Sequence, residues 1–295
     1  MTLAIEKTKV LAGIVLYQPP PESQKLVEEL ISQGCDICSV VNGHRSVKDL
    51  AFYEERSIWI EVNSENVGLA GALNAIITYF LGSKYTHLFL FDQDSMPASD
   101  FIDTMLEEHH ALAAHASSIA CIAPCVRDSR LGHLGKHHVR AATSKPSALS
   151  AITSGCLFTK DSLRMAGPMD DALFIDGIDH EWCYRAQSMG LRISLCQNAI
   201  LHHELGDWSI ALGRVRKTMH SNPLRHYYII RNSLYLARKP YIPWRWRALE
   251  LLKTSRRAVA YPLFSPAPAQ SLQMVILGLI HGLTGRMGKL NRTPK

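Results

Sequence analysis

Two aspartates separated by one residue form the segment with the clearest chemistry. Asp92 and Asp94 follow the apolar run Phe89-Leu90-Phe91. Two carboxylates at the end of a buried strand can bind Mg²⁺ or Mn²⁺, which usually completes its coordination with water and substrate phosphates. The alternative is a solvated turn in which an aspartate caps a helix that starts near Pro97. Because Asp-x-Asp is a common tripeptide, the motif alone does not distinguish a metal site from a solvated turn, and the neighbouring segments are needed to decide.

Three acids stand close together further along the chain, at Asp176, Asp179 and Glu181. The pattern predicts that a helix starts at Asp179. Glu181 and Arg185 would then lie four residues apart on one face, where they could form only a surface pair. The acids around Trp182 predict that this aromatic residue is exposed. The alternative without chemistry is an ordinary solvated helix start.

Small residues lead from one predicted strand into the next predicted helix. The segment Asn63 to Asn74 contains Asn66 and Gly68, and such small residues allow a ligand to approach the backbone closely. Packing of the helix explains them equally well. His203 follows another apolar run, although a lone histidine is more often only a hydrogen-bonding residue.

The elements that must position these residues alternate along the chain. The predicted strands are Val10–Tyr17, Ile37–Val41, Ser57–Val62 and His87–Phe91, and the predicted helices are Leu26–Ser32 and Gly68–Leu81. This order is typical of a mostly parallel α/β sheet. Because ligands bind beyond the carboxyl ends of such strands, the polar residues that follow each strand are the first candidates for a site.

The composition is that of an ordinary globular protein, with 47% apolar residues. Seven cysteines, an odd number in a chain of 295 residues, fit a reducing compartment better than a disulfide framework. No basic segment followed by a long apolar run opens the sequence, so we expect the protein to stay in the cytoplasm.

Charge is distributed unevenly along the chain. Residues 211–295 carry 16 Lys and Arg and one acid, whereas residues 1–210 carry 16 basic and 25 acidic residues. Such a basic segment suggests an anionic partner, either nucleic acid or a membrane surface.

Trp244 and Trp246 alternate with arginines, a pattern that favours a helix lying on anionic lipid. The alternative is a basic helix packed on the acidic body. No nucleic-acid-binding module is visible, and we expect no nucleic-acid partner.

Taken in order, these segments resemble glycosyltransferase family 2, and more closely its bacterial rhamnosyltransferases. The resemblance covers about residues 8–240, and the combination is more specific than any single motif. The matching segments are Ile14–Tyr17, Asn66–Ala70, Asp92–Ser95, Ser154-Gly155, Phe174–Arg185 and His203–Gly206.

The resemblance implies a GT-A fold, an α/β fold with a mostly parallel central sheet and here a helical basic C-terminal extension. Residues 1–240 would form the glycosyltransferase domain. Its nucleotide-sugar-binding half would span residues 1–115 and its acceptor-binding half residues 116–240. From their basic charge and their tryptophans, residues 241–295 are expected to form a helical tail that associates with the inner face of the cell membrane.

The resemblance also assigns roles to individual residues. The donor-binding residues would be Tyr17, Gln18, Asn42, Asn66, Gly68 and Asp92. A bound Mg²⁺ or Mn²⁺ would be held by Asp92, Asp94 and His203, with Asp94 as the more direct ligand. Asp179 matches the family's catalytic base. The acceptor-binding residues would be Ser154, Gly155, Glu181 and Trp182.

The implied activity is inverting transfer of a sugar to a saccharide acceptor, carried on a lipid, in the synthesis of a cell-surface polysaccharide or O-antigen. L-Rhamnose from dTDP-L-rhamnose is the first expectation. The alternatives are a family 2 enzyme with a UDP- or GDP-sugar donor and a non-catalytic carbohydrate or nucleotide binder. Val41 stands where the family often has an acid that contacts the nucleobase, which leaves the choice of nucleotide open.

Overall fold

The computed structural model describes residues 9–43, 49–113, 118–127, 150–203, 208–212 and 215–291. The chain divides into two compact units. The first comprises residues 1–168 and 186–204, and the second comprises residues 169–185 and 205–295. The predicted boundaries at residues 115 and 240 follow a different division and stay predictions.

The first unit is built on an eight-stranded sheet. Its strands are β1 (Val10–Leu16), β2 (Asp36–Asn42), β3 (Ser57–Asn63), β4 (His87–Asp92), β5 (Ser95–Pro97), β6 (Ile119–Arg127), β7 (Cys156–Thr159) and β8 (Arg192–His203). They lie in the order β3-β2-β1-β4-β7-β6-β8-β5. Strand β1 pairs in parallel with β2 and β4, β2 with β3, and β6 with β8. The predicted α/β class with a mostly parallel sheet is confirmed.

Five helices are described in the first unit: α1 (Glu22–Ser32), α2 (Leu50–Arg56), α3 (Gly68–Gly82), α4 (Phe101–Ala113) and α5 (Lys160–Ala166). Strand β1 is buried along its whole length, as expected for a central parallel strand that reads as a continuous apolar run. Helix α3 lies so close to β1 that a Cβ on Gly13 would come within 2.5 Å of Ile76 Cγ2. Glycine at this position therefore sets the distance between helix and sheet.

The segment after Asp94 differs from the prediction of a helix near Pro97. Ser95–Pro97 forms β5, which pairs antiparallel with the end of β8, and α4 begins only at Phe101. The pairing places Ser95 opposite His203. The idea that an aspartate of the motif caps this helix is therefore wrong, because β5 separates the motif from the helix.

The second unit is mainly helical. It contains a 3₁₀ turn (Asp171–Leu173), most of helix α6 (Ile178–Ser188), a hairpin of β9 (Trp208–Leu212) and β10 (Val215–Met219), and helices α7 (Pro223–Leu236), α8 (Trp244–Phe264) and α9 (Pro268–Thr284). Helix α7 starts with Pro223 after an Asn222 cap, whose side chain accepts from the backbone N–H of Leu224. The predicted helical extension is confirmed.

Helices α7 and α9 pack closely because α9 presents glycines to α7. A Cβ on Gly278 would lie 2.8 Å from the carbonyl oxygen of Tyr227, and one on Gly282 would lie 2.7 Å from Leu234 Cδ1. The two glycines are four residues apart and so lie on one face of α9. Among the described helices, none has both the length and the hydropathy needed to cross a lipid bilayer.

Candidate active site

The polar residues that follow the parallel strands meet at one edge of the sheet. Val15 lies opposite Asp92, and Leu16 lies opposite Val41. The carboxyl ends of β1, β2 and β4 are therefore level, as the parallel arrangement predicts. Tyr17 and Asn42 come to the same edge as the aspartate motif.

Three possible metal ligands converge at this edge. Asp92, Asp94 and His203 each offer one ligand atom, and these atoms lie within 4.8 Å of one another. His203 Nδ1 is 3.5 Å from Asp94 Oδ1, and Nε2 is 3.9 Å from Asp92 Oδ2. The antiparallel pairing of β5 with β8 brings the histidine to the carboxylates. Two carboxylates and one imidazole fit a divalent cation.

A chain of buried hydroxyl groups supports this cluster. Ser154 Oγ accepts from the backbone N–H of Asp92 at 3.0 Å and lies 2.7 Å from Ser95 Oγ. Ser95 Oγ is in turn 2.9 Å from His203 Nδ1. When Nδ1 donates to Ser95, the lone pair of Nε2 is free to bind a cation. Ser95 was not among the predicted site residues, although it directly follows Asp94.

Ser154 and Gly155 were predicted to bind the acceptor, but both are buried in the first unit. The Ser154 hydroxyl is already hydrogen-bonded to the backbone of Asp92 and to the Ser95 hydroxyl. Gly155 has φ +74°, and a Cβ there would meet Leu201 and Pro124 side chains at 2.9 Å. Their acceptor-binding roles stay predictions, and the burial of both residues does not favour them. Ser154 supports the cluster of Asp92, Asp94 and His203 through these hydrogen bonds.

A reciprocal hydrogen bond joins the motif to the end of β1. The backbone N–H of Tyr17 donates to Gln93 Oε1, and Gln93 Nε2 donates to the Tyr17 carbonyl, both at 2.9 Å. The Tyr17 side chain remains 43% exposed, so its ring can contact a ligand. Gln18 is also exposed and has φ +47°. The sequence offered no signal for Gln93 beyond its place between the two aspartates.

The predicted donor-binding residues Asn42, Asn66 and Gly68 form one hydrogen-bonded group. Asn42 Oδ1 accepts from the backbone N–H of Val67 at 2.8 Å, and its Nδ2 donates to the Gly68 carbonyl at 3.1 Å. Asn66 Oδ1 accepts from the backbone N–H of Gly68 at 2.8 Å. Asn42 is buried and uses its amide to fix the loop before α3. Its predicted role in donor binding stays a prediction, and the engagement of its amide does not favour a direct contact.

In the second unit, Glu181 and Arg185 form a pair that is not on the surface. Arg185 Nε and Nη2 donate to the two carboxylate oxygens at 2.8 and 2.9 Å, and the Tyr241 hydroxyl donates to Glu181 Oε1 at 2.5 Å. The Glu181 side chain is 1% exposed, so the prediction of a surface pair is wrong. Burial, reinforced by the Glu181 carboxylate, raises the pKa of Tyr241. Tyr241 covers the pair from a distant part of the sequence.

Trp182 is 1% exposed, so the expectation of an exposed aromatic residue is also wrong. Its ring belongs to the interior face of α6, where it fills core volume. Stacking of this ring on an acceptor sugar would require it to be uncovered first. The acceptor-binding roles of Glu181 and Trp182 stay predictions, and their burial does not favour them.

The three acids before and within α6 differ in what they contact. Asp176 accepts from Arg225, with 3.1 Å between Oδ1 and Nη2 and 3.2 Å between Oδ1 and Nε. Glu181 is paired with Arg185. Asp179 is partly exposed, its Oδ1 accepts from the backbone N–H of His180 at 2.8 Å, and no cation among the described residues pairs with it. This setting is compatible with the role of catalytic base, which stays a prediction for Asp179.

Comparison with known proteins relates this arrangement to sugar transfer. No family model matches the chain. It is 28% identical over 244 residues to the dTDP-rhamnosyl transferase RfbF of Shigella flexneri, covering 80% of this chain and 82% of the relative. The chain is similar to the rhamnosyltransferases of glycosyltransferase family 2. The resemblance stated from its motifs is confirmed.

Solved glycosyltransferase structures share the fold. TarS of S. aureus superposes with a TM-score of 0.56 and 11% identity, covering 88% of this chain and 44% of that one. TarS 1-349 in complex with UDP-GlcNAc gives a TM-score of 0.56 and 10% identity, covering 93% and 81%. This chain thus spans less than half the length of the longer TarS chain. The predicted GT-A fold is confirmed.

Val41 marks a departure from the family 2 pattern, and the structure gives its physical setting. Its side chain is fully buried in the hydrophobic core beside β1. A charged carboxylate without a partner would be costly at this position. The Val41 side chain therefore cannot take the place of that acid in contacting a ligand.

Proposed function

We propose that the protein is an inverting glycosyltransferase that transfers L-rhamnose from dTDP-L-rhamnose to a lipid-linked saccharide in cell-surface polysaccharide synthesis. The cluster of Asp92, Asp94 and His203 at the strand-end edge carries this proposal, because it is suited to a metal-bound diphosphate. The relative named a dTDP-rhamnosyl transferase supports the choice of donor. A UDP-sugar is the second candidate, because the TarS 1-349 structure contains UDP-GlcNAc.

The metal cluster would hold Mg²⁺ or Mn²⁺ through Asp92, Asp94 and His203. A bound cation supplies neutralising charge to the diphosphate leaving group. Ser95 and Ser154 orient His203 and the backbone of Asp92 before any ligand binds. Preorganised ligands of this kind cost no rearrangement during the reaction.

Asp179 would act as general base in a single displacement. An acceptor hydroxyl is a poor nucleophile, so a carboxylate must take its proton as the new bond to the anomeric carbon forms. The bond between that carbon and the diphosphate oxygen breaks in the same step, which inverts the anomeric configuration. Asp176 and Glu181 are less suitable because arginines already pair with their charges.

The nucleotide preference tests the donor assignment. Calorimetry in the presence of Mg²⁺ should show tighter binding of dTDP than of UDP or GDP. Nucleotide release from dTDP-L-rhamnose, a UDP-sugar and a GDP-sugar should follow the same order, with a panel of alkyl glycosides as acceptors. A clear preference for UDP or GDP would remove rhamnose and leave the fold and metal cluster intact. Donor binding without release for any sugar would favour a non-catalytic binder.

Helices α8 and α9 present a surface suited to anionic lipid. Exposed apolar residues recur at helical spacing on α9, namely Leu272, Ile276, Ile280 and Leu283, and on α8, namely Leu249, Leu252, Val259 and Leu263. Trp244 is 66% exposed, and Arg245 and Arg256 are exposed as well. Apolar side chains together with arginines fit the boundary between headgroups and acyl chains. We propose that the protein binds the inner membrane surface through these helices.

Vesicle sedimentation tests the membrane proposal. The protein should sediment with vesicles containing anionic phosphatidylglycerol, and less so as salt rises. The double substitution Ile276→Glu and Ile280→Glu should release it, whereas Met165→Glu, at an exposed apolar residue of the first unit, should not. Equal recovery in the supernatant with neutral and anionic vesicles would count against membrane binding. Steeply salt-dependent binding to duplex DNA would assign the basic charge to nucleic acid instead.

A further inference from the structure

The segment just before Asp179 has a strained backbone. Phe174 and Asp176 have φ of +64° and +66°, in the left-handed region that side chains other than glycine rarely adopt, and Gly177 follows with φ +84°. Such conformations persist only when the surrounding structure enforces them. The residues around this segment must therefore hold its backbone in place.

One face of α7 contacts the segment. Tyr228, Arg231, Asn232 and Tyr235 recur at spacings of three and four residues, so they project from the same side of the helix. The ring of Tyr228 stacks on Phe174 with 5.0 Å between centroids. The Tyr235 hydroxyl donates to Asp170 Oδ2 at 2.8 Å, at the start of the segment.

Asn232 makes the most concentrated set of contacts on this face. Its Nδ2 lies within hydrogen-bond distance of three backbone carbonyls, those of Leu173 at 3.0 Å, Ile175 at 2.7 Å and Asp176 at 2.8 Å. A side-chain amide has only two hydrogens, so at least one is shared. The three carbonyls belong to the part of the chain that contains both strained residues.

Arg231 sets the orientation of this amide. Its Nε donates to Asn232 Oδ1 at 2.9 Å, which leaves Nδ2 directed at the carbonyls. Its Nη2 donates to the Leu173 carbonyl at 2.8 Å and to that of Ala172 at 3.2 Å. Both side chains are buried. A buried polar pair whose donors are directed at one segment fixes that segment with little freedom.

We infer that Asn232 is a positioning residue, whose amide holds the strained backbone from Leu173 to Asp176 so that Asp179 presents its carboxylate to the acceptor hydroxyl. The inference rests on the proposed function, in which Asp179 is the general base. Among the contacts that α7 makes with this segment, those of Asn232 reach the Ile175 and Asp176 carbonyls, which come directly before α6.

The isosteric variant Asn232→Asp tests this role. A carboxylate offers no hydrogen, so the carbonyls of Leu173, Ile175 and Asp176 lose the amide donor and face a negative charge, and only that of Leu173 keeps its bond from Arg231. We expect kcat for rhamnosyl transfer to fall by about 10²-fold, the loss typical of a small misplacement of a reacting group. Calorimetric affinity for dTDP should not change. Asn232→Ala removes the donor without adding charge and serves the same purpose should Asn232→Asp fail to fold.

Ser233→Ala is the matched control. Ser233 is the next residue of α7 and is also buried, but its hydroxyl donates to the Ile229 carbonyl of its own helix at 2.8 Å. Its transfer rate should equal that of the unmodified protein. A purely structural role for Asn232 predicts instead that the variants lower Tm while kcat at lower temperature is preserved, and this result would overturn the inference.

A double-mutant cycle shows whether Asn232 acts through the base. In an Asp179→Asn background, Asn232→Asp should reduce kcat no further, because the group it positions is already gone. The same fold-loss in both backgrounds would overturn the positioning role and leave Asp179 as base. Full activity of Asp179→Asn alone is a distinct result, since it would remove the base assignment and the inference with it.

Discussion

Replacing Asp94 with alanine should abolish nearly all sugar transfer and leave the protein folded. The Asp94 side chain is 48% exposed and its Oδ1 lies 3.5 Å from His203 Nδ1, so it contributes to the metal cluster and little to the core. A catalytic metal stabilises the transition state by several kcal/mol, which corresponds to a loss of roughly 10³-fold when its ligand is removed. Initial rates of nucleotide release with Mg²⁺ or Mn²⁺ measure this loss.

The control for Asp94→Ala is Asp103→Ala, which removes an exposed aspartate from α4 in the same unit. Its rate and Tm should match those of the unmodified protein. Excess chelator should stop transfer by the unmodified protein, and addition of Mg²⁺ or Mn²⁺ should restore it and identify the preferred ion. Full activity in excess chelator would exclude a metal-dependent reaction.

Strands β1, β2 and β4 were predictable because they are mostly buried apolar runs that end in polar residues. Val10–Leu16 is apolar throughout and is followed by prolines, which mark the end of β1. Helix α2 was missed because only Tyr53 of its seven residues is buried, which gives no periodic apolar pattern. Tyr53 contacts Ser23 through a 2.6 Å hydrogen bond, a long-range interaction that local spacing does not show.

The site was predictable only where a local rule applies. The strand-end rule identified Asp92 and Asp94, but their proximity to His203 depends on the pairing of β5 with β8 across more than a hundred residues. Helical spacing correctly paired Glu181 with Arg185. Spacing predicts which side chains meet on a helix, but it does not predict which other parts of the chain pack over them. The burial of the pair beneath Tyr241 could therefore not be predicted from the sequence.

The same limit applies to the acids near α6, and here the structure sharpens the assignment of the base. Spacing could not separate Asp179 from Asp176 and Glu181. Arg225 pairs with Asp176 and Arg185 with Glu181, whereas no cation among the described residues pairs with Asp179. The distinction depends on Arg225, which lies far from Asp176 in the sequence.

Asp179→Asn should therefore lower kcat by roughly 10² to 10⁴, the range expected for loss of a general base. The amide keeps the size of the side chain and can still accept from the backbone N–H of His180, so α6 should start at the same place. Affinity for dTDP should not change, because the base acts on the acceptor hydroxyl and not on the donor nucleotide. Single-turnover rates and calorimetry measure the two quantities separately.

Glu181→Gln provides the contrast that completes this experiment. It disrupts a buried ion pair, so it should lower Tm while a preparation kept below its Tm transfers sugar faster than Asp179→Asn.

NMR of the product should show inversion at the anomeric carbon, because one displacement exchanges the two faces of that carbon. Near-normal kcat for Asp179→Asn would show that another group takes the proton. A product with the donor's anomeric configuration would instead require two displacements and a covalent intermediate, which a single base at Asp179 does not provide.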